Sequence, residues 1–152
     1  MKAHRFTLAD DDPNTIFLLH RMLARLYPNS SIAMFTAVQD ALTHILVTGT
    51  DILIANHGMG QMSGTGLIRE LRLRKWPMPI IMISGSPSVE QEAISAGATK
   101  FVPKAVAPRV FEAHIRAVVE LLPTKEFKQP QGKAGSPLKR HSPRPTRRAI
   151  KV

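Results

Sequence analysis

A chain of 152 residues, 43% of them hydrophobic, can bury one core of ordinary size and still carry an appendage. It has no cysteine, which excludes disulfides and thiolate–metal sites, and no apolar run approaches the ~20 residues of a membrane-spanning helix. The net charge of +10 is uneven: residues 1–122 hold 12 basic and 10 acidic side chains, whereas 123–152 hold 9 basic ones and a single acid, Glu126.

The start, Met1 to Arg5, runs straight into an apolar stretch and lacks the form of a secretory leader, so a cytoplasmic protein is expected. Arg5–Ala9 reads as a buried strand ending at the acids Asp10, Asp11 and Asp12. Asp12 before Pro13 reads as N-cap and first helical residue, and Ile16, Leu19, Leu23 and Leu26 then recur at helical spacing. Ser31–Phe35 is a second strand. Thr36 is expected to cap a helix carrying Val38, Leu42, Ile45 and Leu46. Asp51–Ala55 is the third strand, and Leu67, Ile68 and Leu71 line a helix ending near Pro77. Pro79–Ile83 is a fourth strand of near-continuous aliphatics, as expected when both faces are covered. Residues 88–96 form a short helix stopped by Gly97, and Lys100–Val102 is a fifth strand. Pro108 opens the last helix, with Val110, Phe111, Ile115, Val118, Val119 and Leu122 on its apolar side.

Strands alternating with helices predict an α/β fold, a doubly wound five-stranded parallel sheet with helices on both faces. In such sheets the functional crevice lies at the carboxyl ends of the strands, near a topological switch point. Asp10, Asp11, Asp12, Asn56, Ser84 and Lys104 all fall at those ends. From Pro123 the apolar pattern stops. Five prolines and dense positive charge there predict a disordered tail, which divides the chain into a domain over 1–122 and a tail over 123–152.

The acidic cluster after the first strand, the segment from Asp51 to Gly64, Ser84 after the fourth strand, and Phe101 and Lys104 around the fifth resemble, in order, the receiver domain of response regulators. The resemblance covers about residues 4–122. It implies the flavodoxin-like receiver fold and a place in two-component signal transduction and phosphorelay. In that family the third strand ends on an aspartate that accepts a phosphoryl group from a histidine kinase. Here the slot holds Asn56, a neutral carboxamide and a far weaker nucleophile. The implied protein is a degenerate, stand-alone pseudo-receiver and not an enzyme. Its partners would be a histidine kinase, a phosphotransfer protein or another regulator. The surface would be that of the fourth helix, fifth strand and fifth helix, which the family also uses for homodimers.

The family's Mg²⁺ site maps onto Asp10, Asp11 and the carbonyl of Gly58. With one carboxylate replaced by Asn56, weakened Mg²⁺ binding is what the resemblance leaves. Ser84 matches the hydroxyl that contacts the phosphoryl oxygen, Lys104 the lysine that pairs with it, and Phe101 an aromatic that changes rotamer on activation. Two departures stand out: Ala105 follows Lys104 where the family has proline, and Gly60 replaces the usual proline of the loop, which is expected to loosen it. Strand alternation points His57 away from the slot of residue 56, leaving it a solvent-exposed loop histidine. The glycine-rich run 58–66 lacks the Lys-Ser/Thr ending of a phosphate-binding loop.

In the tail, Ser136-Pro137-Leu138-Lys139 and Ser142-Pro143-Arg144-Pro145 resemble the minor-groove contacts of basic chromatin tails. Lys139, Arg140, Arg144, Arg147 and Arg148 are the candidate cations. A nucleic-acid-associated protein is therefore the alternative function, with sequence-independent and salt-sensitive binding.

Overall fold

The computed structural model describes residues 2–123. Five strands and five α-helices alternate: β1 (Arg5–Ala9), α1 (Pro13–Leu26), β2 (Ser31–Phe35), α2 (Val38–Thr48), β3 (Ile52–Asn56), α3 (Gly64–Leu73), β4 (Ile80–Ser84), α4 (Glu90–Ala96), β5 (Lys100–Pro103) and α5 (Pro108–Glu120). A single 3₁₀ turn at Pro87–Val89 leads into α4. All strand pairs are parallel, in the order β2-β1-β3-β4-β5. The expected doubly wound α/β sheet is what forms. The tail that begins at 124, with its candidate cations, lies outside the described residues.

Strand alternation sorts the core into two layers. Phe6, Leu8, Ile52, Ile54, Ile81, Ile83 and Val102 pack under α1 and α5. Leu53, Ala55, Ile80, Met82 and Phe101 pack under α2, α3 and α4. The central strands β3 and β4 are buried along their whole length, which explains their unbroken aliphatic sequence.

The element ends follow local chemistry. Asp12 caps α1 by accepting the Asn14 amide, and Pro13 fills the first helical position. Gly97 ends α4 in the left-handed region at φ 113°, as its position predicts. The Thr36 cap is corrected: Ala37 is extended at φ −120°, so α2 starts one residue later, and its N-cap has no side-chain bond. Strands β3 and β4 each begin and end one residue later than expected, so Asn56 and Ser84 are the last residues of their strands. On α5, Ile115 and Val118 are buried as expected, but Val110 is 46% exposed and Leu122 lies past the helix end.

At the amino edge of the sheet, Asp51 closes the turn into β3. Its carboxylate accepts the Arg5 backbone amide at 2.8 Å and the guanidinium at 2.9 Å. Burial pushes the Asp51 carboxyl up, but the hydrogen bonds and charge of Arg5 outweigh it and hold it below its usual 3.8. A depressed folded-state pKa contributes stability that is present above 3.8 and lost as pH falls through the folded value. Asp51→Asn is therefore expected to shallow the acid limb of the stability–pH curve. An unchanged limb in acid-titrated urea unfolding would show that the pair contributes nothing.

Candidate functional site

The carboxyl ends of β1, β3, β4 and β5 open onto one mouth, on the side of the sheet where β1 and β3 lead away to opposite faces. Asp10 sits at the bottom and is fully buried. Its Oδ1 accepts the Asp12 amide at 2.9 Å. Its Oδ2 lies 3.0 Å from Lys104 Nζ, and apart from this ion pair accepts no hydrogen bond. Burial raises the Asp10 carboxyl above its ordinary value, only partly offset by the Asp12 amide and Lys104. Lys104 is itself anchored, since its backbone N–H donates to Ser84 O at 2.9 Å.

Asn56 ends β3 and is buried. Its Nδ2 donates to the Gly58 carbonyl at 2.9 Å and reaches Asp11 Oδ1 at 3.4 Å. The network fixes this orientation: the reversed amide would set its oxygen against a carbonyl and a carboxylate, with no hydrogen between them. Ser84 Oγ accepts the Ser86 amide at 3.0 Å in a tight local turn. Phe101 is not at the mouth. Its ring is buried in the α2–α4 layer.

A magnesium ion requires a near-octahedral shell of hard oxygens. Of the oxygens at this mouth, Gly58 O and Asp11 Oδ1 hold the Asn56 amide and Asp10 Oδ2 holds Lys104. Among the described residues no three His, Cys, Asp or Glu side chains are grouped to hold a metal. As arranged, these residues do not fit the ion.

His57 turns the other way, as strand alternation requires. It is half-buried rather than solvent-exposed, because its Nδ1 sits 2.9 Å from Thr65 Oγ1 on α3. Gly60 has φ +73°, which proline cannot adopt. The residue thus gives the loop a different path and does more than loosen it. Every described peptide bond is trans, including the one before Ala105.

Gly64 has a packing role at the site beyond its place in the glycine-rich run. A Cβ there would stand 2.1 Å from Asn56 O, so only glycine lets α3 start against the end of β3. The available signal was a glycine three residues ahead of the periodic Leu67.

Strand order, mouth and acid–lysine pair define a doubly wound α/β domain with a polar crevice at the carboxyl ends of its strands. The family model described as the response regulator receiver domain matches residues 6–116, and the chain belongs to that family. Regulatory protein VirG of Agrobacterium fabrum is 32% identical over 95 residues, 59% of this chain and 37% of its own length. Two-component response regulator ARR14 of Arabidopsis thaliana is 26% identical over 106 residues, 68% of this chain and 28% of its own. The chain spans about half the length, or less, of the curated relatives it matches. Among solved structures, the signal receiver domain of a DNA binding response regulator from Colwellia psychrerythraea superposes with a TM-score of 0.70 at 18% identity, covering 77% of this chain and 98% of that one. A two-component response regulator from Clostridium difficile gives 0.68 at 16%, covering 78% and 97%. At such identities the structures show the fold alone. No described helix is long and apolar enough to cross a membrane.

Proposed function

We propose that this chain is a pseudo-receiver, signalling in a two-component pathway by protein–protein contact without accepting a phosphoryl group. The observation that carries the reading is Asn56 as the last residue of β3, with its amide nitrogen committed to Gly58 O and Asp11. A carboxylate oxygen can form a bond to phosphorus; this amide nitrogen has its hydrogens engaged and its lone pair delocalised. His57 is no substitute, because its ring is turned to Thr65. The switch-like residues Ser84, Phe101 and Lys104 then serve the unphosphorylated form. Any change of state must come from a partner with unequal affinity for two conformations.

The partner is a histidine kinase, a phosphotransfer protein or another regulator in the cytoplasm. The proposed docking face, also available for a homodimer, is α4-β5-α5, where Ile94 and Val110 are 44% and 46% exposed. Residues 1–122 form the receiver unit and 123–152 a separate basic tail. Incubation with acetyl phosphate or a cognate kinase is expected to leave the protein unlabelled. A stable phosphoryl group in the peptide containing residue 56 overturns the reading.

The excess of positive charge after residue 123 supports a second reading, nucleic-acid association through the tail. It requires retention on DNA or RNA that falls steeply with salt. Replacing Lys139, Arg140, Arg144, Arg147 and Arg148 by glutamine is expected to abolish it.

A further inference from the structure

We propose that the Asn56 carboxamide is a built-in substitute for a divalent cation, closing the mouth to metal ions. The inference deepens the reading above and relies on it only for the location of the site.

A cation between Asp11 Oδ1 and Gly58 O would satisfy their lone pairs and screen the neighbouring carboxylates. The Asn56 amide does the first of these already. Its nitrogen carries two hydrogens and a partial positive charge, and both acceptors lie within its reach, at 2.9 and 3.4 Å. Lys104 does the second, with its ammonium 3.0 Å from the buried Asp10 Oδ2. Two internal donors thus cover the demands a metal would meet.

Entry of an ion would have a cost on both sides. The Asn56 amide would have to rotate and give up two hydrogen bonds, and Lys104 would have to yield or share Asp10. Gly58 O would otherwise face the mouth without a donor, so the amide is also what keeps the loop after β3 satisfied.

This arrangement makes a prediction opposite to the one in which Asn56 ligates a metal through its oxygen. Removing the side chain should open the site and strengthen metal binding, although it deletes a potential oxygen ligand. The test uses the full chain and Mn²⁺ as probe, read by electron paramagnetic resonance at fixed ionic strength, with Mg²⁺ competition. Wild type is expected to show no saturable binding in the low-millimolar range. Asn56→Ala is expected to bind at least about tenfold tighter than wild type, and Asn56→Asp tighter still. If the alanine variant does not fold, Asn56→Ser, which keeps a polar group without the amide, carries the same expectation.

Saturable Mn²⁺ binding by wild type that weakens in Asn56→Ala overturns the proposal, because the amide oxygen is then a ligand. Equal affinity in wild type and Asn56→Ala also overturns it, because the amide then blocks nothing. Neither result restores a nucleophile, so the phosphoryl-free reading would survive both. Conversely, phosphoryl labelling of wild type would end that reading without bearing on Mn²⁺ affinity.

Discussion

Gly64→Ala is expected to destabilise the domain by about 3 kcal/mol or more, the upper end of the usual cost of overpacking. The added Cβ would stand 2.1 Å from Asn56 O, 2.9 Å from the Asn56 carbonyl carbon and 3.1 Å from Met82 Cε. Only the last is the tip of a flexible side chain. The first two are backbone at the end of a central strand, held in register with Ile83 of β4. The Gly64 amide also donates to His57 O at 2.9 Å, so the helix start cannot back away without losing that bond. Urea unfolding should show a lower midpoint at unchanged slope. A loss within about 1 kcal/mol of zero would mean that the strand–helix junction yields easily. Asn56 would move with the junction, so any metal or partner readout should change in the same variant.

Arg72→Ala is expected to cost about 2–3 kcal/mol, mainly through carbonyls left without donors. The half-buried guanidinium donates to Gly97 O from Nε and Nη2 at 3.0 and 2.9 Å. Its Nη1 reaches Trp76 O at 2.6 Å and Met78 O at 2.9 Å. One planar fork therefore ties the end of α3, the turn into β4 and the end of α4. Burial lowers its pKa, yet arginine keeps its charge, which suits the carboxyl ends of two helices. Arg72→Lys should not rescue the loss, because an ammonium cannot span the same set of carbonyls. Amide hydrogen exchange around residues 97–99 should accelerate in both variants while the Asn56 contacts stay intact. Full stability in the lysine variant would show that charge, not the fork, matters.

Much of the architecture was legible because the signals were redundant. The aliphatic runs of β3 and β4, the Asp12-Pro13 start and the Gly97 stop each had a local cause that the tertiary structure left alone. The positions that misled depend on one backbone angle or on a neighbour far along the chain. Thr36 has capping chemistry, but the extended backbone at Ala37 moves the cap position past it. Val110 fits the apolar stripe of α5 by spacing and still points partly to solvent. Arg72 has no signature in the sequence, since its acceptors at Trp76, Met78 and Gly97 are carbonyls that leave no mark in side-chain patterning. At the mouth, the residue types and their order were readable, but the direction of the Asn56 amide was not. Whether it offers a nitrogen or an oxygen depends on Gly58 O and Asp11, whose positions only the folded loops determine.

The Asp10–Lys104 pair has a mechanical consequence. Asp10 follows β1 and Lys104 follows β5, with β3 and β4 lying between those strands. The pair therefore acts as a tie-rod across four of the five strands, anchored at one end in the fully buried carboxylate. Moving the loop before α5 would have to stretch or break this ion pair, which ends next to the start of α1. A protein gripping α5 would feel the stiffness of the crevice floor, and the two would have to yield together.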